Sequence, residues 1–319
     1  MRQSLAALIV AIMVLAAPAV LSAGGSSESG KAEGGMEEEK LSGSVKIAGS
    51  STVYPISVAV AEEFNKMHPA VSLPVQSTGT GGGFANFFIP GKTDINDASR
   101  PIKDSEKQAA MENGIEPIEL RVGIDAITVV VNPEADWVDN LTVEQLAHIW
   151  RPENPAKTWS DVNPSWPDEE IELYGPTSAS GTFDFFTEQV MGEEDVSRSD
   201  YQGTEQDNTI VQAVAGSRYA MGYFGLAFYR PDKNKALEIN GVKPSIPTAK
   251  SGEYYLSRPL FIYVNSKSLE REEVRAFVEF YINQTSTELI RDVGYVPLTQ
   301  ADMQENLDKF NEMVEKHGR

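Results

Sequence analysis

Along the chain, short runs of apolar and β-branched residues alternate with stretches whose apolar positions recur every three or four residues. That is the pattern of strands interleaved with amphipathic helices. Val45-Lys46-Ile47-Ala48 opens the series as a strand. Val53, Ile56, Val60, Phe64 and Met67 follow at helical spacing and predict one apolar helix face, stopped by Pro69. Val71 to Gln76 predicts a second strand. The cluster Gly79-Thr80-Gly81-Gly82-Gly83 turns the chain into a helical stretch from Phe84 to Ile89, and Asp94 to Ser99 reads as a third strand. Ile124 to Val131 is apolar at nearly every position, which suits a strand covered on both faces in mid-sheet. Beyond it Leu141, Val143, Leu146, Ile149 and Trp150 mark a helix, Ile171 to Tyr174 a strand, and Phe183, Phe186 and Val190 a helix opening just after Ser180. Leu260 to Val264 returns as a buried strand, and helices at Glu270–Tyr281 and Gln300–Lys316 finish the chain. The alternation predicts an α/β fold with a largely parallel sheet.

The ends change the picture. Residues 1–23 read as an export signal: Arg2 supplies the positive start, Leu5 to Val20 an apolar stretch, and Leu21-Ser22-Ala23 a cleavage site. The apolar run is short for a permanent span, and Gly24 stands where a lipid-bearing cysteine would follow. Residues 24–42, rich in Gly, Ser and Glu, read as a flexible linker. The 319-residue length leaves room for two domains. The absence of cysteine excludes thiol nucleophiles, disulfides and cysteine-held metal centres. The three histidines, His68, His148 and His317, are far apart and suggest no metal or catalytic cluster. A net charge of -20 argues against a nucleic-acid partner.

Chemistry concentrates in three turns rich in hydroxyls and glycine, each between a predicted strand and a predicted helix. They are Gly49-Ser50-Ser51-Thr52, Ser77 to Gly83, and Ser178-Ala179-Ser180-Gly181-Thr182. At such a turn, backbone N–H groups and the helix dipole favour a bound anion, and Ser and Thr add donors without charge. Any one turn alone is explained by capping. Three of one type, where open α/β sheets place ligands, point to a shared oxyanion site. Other motifs fail: Gly91-Lys92-Thr93 lacks the earlier glycine of a P-loop, and no Gly-x-Ser-x-Gly elbow surrounds Ser180. Trp150 and Trp159 read as packing residues.

These residues resemble the phosphate-binding proteins of bacterial phosphate ABC transporters over nearly all of Gly43 to Lys316. The resemblance is carried by Ile47-Ala48-Gly49-Ser50-Ser51-Thr52-Val53-Tyr54-Pro55, by Thr80 to Gly83, by Asp94 to Ile102 and by Ser180-Gly181-Thr182-Phe183. It is also carried by Leu146-Ala147-His148-Ile149-Trp150 with Thr158-Trp159-Ser160-Asp161. It implies a two-lobed periplasmic-binding-protein-like (type II) fold with two crossover hinge strands. Residues 43–124 and 258–319 would form lobe I and residues 125–257 lobe II. The implied protein is an exported monomer that takes inorganic phosphate in its cleft and hands it to ABC permease subunits. It would meet the membrane only through that permease and would need no metal, cofactor or catalytic residue. The implied phosphate contacts are Ser51, Thr52, Val53, Thr80, Gly81, Asp97, Ser99, Arg100, Ser180, Gly181 and Thr182.

Two departures from the family pattern matter. Pro176 stands where members often carry an arginine, and Arg100 where many carry a carboxylate after Ala98-Ser99. Arg100 is therefore the expected cation, since a guanidinium binds two phosphate oxygens at once. Asp97 is the expected carboxylate acceptor that would favour protonated phosphate over sulfate. The acidic surface is no obstacle, because salt screens distant charge over roughly 8 Å while donors act at contact. A receptor for sulfate or molybdate, or a secreted phosphatase-like enzyme, are the alternatives.

Overall fold

The structure is a computed structural model and describes residues 41–318; the expected export signal at 1–23 and the linker up to residue 40 lie outside the described residues. Nine strands form the main sheet: β1 (Ile47–Gly49), β2 (Val75–Ser77), β3 (Ile95–Ala98), β4 (Pro117–Val131), β5 (Glu172–Gly175), β6 (Gln202–Gly203), β7 (Ala220–Gly225), β8 (Lys235–Ala236) and β9 (Ser257–Asn265). Their spatial order is β2-β1-β3-β9-β4-β7-β5-β6, with β8 pairing to the end of β4. The helices that matter here are α1 (Tyr54–Met67), α2 (Thr80–Gly83), α3 (Asp104–Glu112), α4 (Val143–Trp150), α5 (Gly181–Met191), α6 (Asp207–Gly216), α7 (Glu272–Gln284) and α8 (Gln300–His317).

The sheet is mixed, which corrects the expectation of a largely parallel one. β1 pairs parallel with β2 and β3, and β5 pairs parallel with β7 and β6. Between these two parallel groups, β4 and β9 run antiparallel to each other, from Ser257 opposite Ala126 to Asn265 opposite Pro117. Two strands that cross between the same two groups in opposite directions must pair antiparallel.

β4 is nearly twice as long as the apolar run predicted, because it changes character midway. Ile118, Leu120 and Val122 are buried while Arg121 between them is exposed, so this half covers one face only. From Val122 onward every residue is buried. β4 thereby feeds two cores. The first joins its Ile118, Leu120 and Val122 to Ile56, Val60 and Phe64 of α1, Leu260 and Ile262 of β9, and Phe277 of α7. The second joins Ile127, Val129 and Val131 to Leu146, Ile149 and Trp150 of α4 and to Phe185 and Phe186 of α5. Each such fully buried side chain contributes about 1.5–3 kcal/mol.

Local signals account for the helix ends. Thr142 accepts the Gln145 N–H and Gln145 accepts the Thr142 N–H, a reciprocal cap that starts α4. Trp150 and Trp159 pack in the second core as the sequence suggests, whereas Met67, the last residue of α1, is 56% exposed. Strand β7 and helix α6 carry no clear sequence signal; Gly222 and Gly225 dilute the apolar run of β7. Among the described residues no helix is long and apolar enough to cross a membrane.

Candidate functional site

The ends of β1 and β3 approach each other closely at a glycine. Gly49 has φ +142°, and a Cβ there would stand 2.1 Å from the Asp97 carbonyl oxygen. The chain then turns through Ser50, Ser51 and Thr52 into α1. Ser50 is buried, and its Oγ accepts the N–H groups of Thr52 at 3.1 Å and Val53 at 3.3 Å. Val53, expected among the ligand contacts, thus has its amide engaged by Ser50 and its side chain in the first core. A hydroxyl that accepts these two amides competes with a ligand for the same donors.

The second turn is tied to the end of β3. Thr80 Oγ1 lies 3.1 Å from Ser99 Oγ and accepts the Ser99 N–H at 3.1 Å. The first-turn amides of α2 have no partners within the helix. The third turn comes from the other side of the crossover strands, and its approach is again decided by a glycine. A Cβ on Gly181 would stand 2.8 Å from Thr52 Cα. Ser51 Oγ donates to Asp184 of α5 at 3.2 Å, and Ser180 Oγ caps α5 by accepting the Thr182 N–H at 3.2 Å.

Ser51, Thr52, Thr80, Gly81, Ser99 and Arg100 line one cavity of about 240 Å³. This is below the ~300–1,000 Å³ of sites for drug-sized ligands, and suits a small ion. Ser180, Gly181 and Thr182 lie across Thr52 and line a neighbouring cavity of about 710 Å³ that also reaches Ser51. Residues 51 and 52 therefore stand between the other two turns, in contact with both surroundings.

Arg100 lines the small cavity, but its fork is engaged: Nη1 and Nη2 donate to the two carboxylate oxygens of Glu106 on α3 at 2.9 and 2.8 Å. Asp97 lies outside the lining. Its carboxylate points into the first core, where Oδ1 accepts from Ser57 Oγ at 2.8 Å and Oδ2 has no partner among the described residues. Burial pushes this carboxyl up to about 8, against the smaller lowering effect of Ser57. The carboxylate expected as an acceptor for the ligand thus lies beside the small cavity and not in its lining.

A second guanidinium, missed by the motif reading, faces the cavity from β9. Arg258 Nη2 donates to Thr52 Oγ1 at 3.1 Å, Nε to Asp125 at 3.3 Å and Nη1 to Glu188 at 3.3 Å. Its Cζ lies 4.0 Å from the centre of the Phe185 ring, within cation–π distance. Burial raises Asp125 to about 6, opposed by Arg258. A faint signal existed: Asp125 is the one charge in the run Ile124 to Val131, and Arg258 abuts the other fully apolar strand. Complementary charges in two buried strands ask to be paired. Glu188 of α5 and Glu194 just beyond it also line the cavity, and Glu194 is raised by burial and then by Glu188 and Asp184.

Comparison with known proteins bears on this geometry. The sequence profile of the PBP superfamily domain matches residues 34–285. The phosphate-binding protein PstS of Staphylococcus saprophyticus is 39% identical over 305 residues, which are 93% of this chain and 90% of that protein. Among solved structures, a possible phosphate binding protein from Planctomyces limnophilus superposes with a TM-score of 0.81 at 41% identity, over 86% of this chain and 99% of that one. An ABC-type phosphate transport receptor from Vibrio cholerae superposes with a TM-score of 0.62 at 25% identity, over 80% of this chain and 100% of that one.

Proposed function

We propose, because this chain belongs to the PBP superfamily and within it to the phosphate-binding proteins related to PstS, that it captures inorganic phosphate and delivers it to the permease of an ABC transporter. The observation that carries this reading is the convergence of Ser51, Thr52, Thr80, Gly81 and Ser99 with two guanidinium groups around one small cavity. Hydroxyls and amides fixed by helix starts match the acceptor-only oxygens of an oxyanion. Ser180, Gly181 and Thr182 would complete the site from the far side of Thr52 once the halves adjust around a ligand.

Residues 43–124 with 258–319 would act as one lobe and residues 125–257 as the other, with β4 and β9 as the hinge. The two separate cores that β4 feeds support that division. The protein would be an exported monomer that binds without covalent chemistry and meets the membrane through its permease.

Calorimetric titration of the purified protein with phosphate, sulfate and molybdate tests the reading. Phosphate is expected to bind with a micromolar or lower Kd, about 8 kcal/mol or more, within reach of several charge-assisted bonds of about 1.5–3 kcal/mol each. Equal binding of sulfate would widen the ligand class to tetrahedral oxyanions, and no binding of any of the three would end the proposal. Phosphoester turnover lost in Ser180→Ala would instead favour an enzyme.

A further inference from the structure

We propose that Arg258, not Arg100, is the cation that meets the bound anion, and that Glu188 is an internal carboxylate which the anion displaces from it. The proposal rests on the reading of the small cavity as the phosphate site. Both guanidinium groups line that cavity, so the question is which one has a partner that an anion can displace.

Arg100 gives both ends of its fork to Glu106, a carboxylate on its own side of the cavity with a side chain only 16% exposed. It also donates to the Pro101 carbonyl at 3.0 Å. Bidentate pairs of this kind are the strong ones. Arg258 is arranged differently. Each guanidinium has three N–H donors engaged, but those of Arg258 go one each to Asp125, Glu188 and Thr52. Asp125 is its register partner on β4 and is 2% exposed, so it fixes the inner end of the side chain. Glu188 is 43% exposed and meets the fork at a single 3.3 Å contact. A solvated, single-contact pair is the weakest of these interactions and the one a dianion replaces at least loss.

The consequence is a coupling between ligand and hinge. Arg258 sits on a crossover strand, touches Thr52 of the first turn, and stacks on Phe185 of α5. An anion that takes the place of Glu188 keeps Arg258 on Asp125 and Thr52 while releasing α5 from one of its ties. Glu188 and Glu194 both face the cavity, so they oppose an entering dianion until that exchange occurs.

The test is phosphate titration of the full-length mature protein and of three variants, each checked for an intact thermal transition. Arg258→Gln is expected to weaken phosphate binding about 10- to 100-fold, with Arg258→Lys recovering part of the loss. Glu188→Gln, which removes the competing charge and keeps the shape, is expected to tighten binding about 3- to 10-fold. A structural tie alone would not improve affinity when cut. Weaker phosphate binding by Glu188→Gln would overturn the proposal and make that carboxylate an acceptor for the ligand. So would Arg258→Gln binding within threefold of the parent. If the parent itself binds no phosphate, the functional reading fails first, and independently of the variants.

Discussion

Two aspartates of this fold are buried to the same degree and titrate differently because of what faces them. Asp125 meets the Arg258 guanidinium, which opposes burial and leaves the group at about 6; Asp97 meets only the Ser57 hydroxyl and rises to about 8. For Asp97 the consequence for stability has a definite sign. Below its ordinary value of 3.8 the carboxyl is protonated in both folded and unfolded chains. Between 3.8 and about 8 the unfolded chain releases the proton and the folded one keeps it, so stability is lost as pH rises, by up to about 1.4 kcal/mol per unit. Asp97→Asn removes that titration. In urea denaturation the variant is expected to gain on the parent steadily from pH 5 to pH 8. A constant difference across that range would mean that Asp97 is already ionised in the folded protein.

At the scale of elements, helix α5 carries two demands that pull apart at its first residue. Helix propensity favours alanine over glycine by about 1 kcal/mol. Contact with the first turn favours glycine, because a Cβ on residue 181 would stand 2.8 Å from Thr52 Cα. Gly181→Ala is therefore expected to leave the melting temperature within a few degrees of the parent and to weaken phosphate binding about tenfold, as α5 backs away from the site. Unchanged affinity would show that α5 does not need to touch Thr52. Helix α4 gives the contrasting case of an element whose aromatic packing lies away from the cavity. Trp150 is fully buried against Phe186, Tyr201 and Tyr223. Trp150→Ala is expected to destabilise the protein by about 3–5 kcal/mol in denaturant titrations, with the ligand contacts themselves untouched.

For the whole molecule, the question is whether two cores unfold as one. β4 threads both, and β9 pairs with it for most of its length. All four tryptophans, Trp137, Trp150, Trp159 and Trp166, belong to the second core or pack against it, so their fluorescence reports that half alone. Thermal unfolding followed by tryptophan fluorescence and by far-ultraviolet circular dichroism is expected to coincide, as one cooperative transition; separated midpoints would show two units that melt in turn. By itself the sequence determined the α/β alternation, the start of α5 at Ser180, the buried half of β4 and the three hydroxyl-rich turns. These are matters of spacing within one segment, where periodicity and capping chemistry act over a few residues. It did not determine that β4 begins seven residues before its apolar run, that Asp97 faces the core, or that Arg258 reaches the cavity. Those depend on which strand lies beside which, and a side chain's partner across a sheet can be more than a hundred residues away, as Asp125 is from Arg258. Only the tertiary structure decided that a second guanidinium, from β9, faces this cavity beside the one that follows β3.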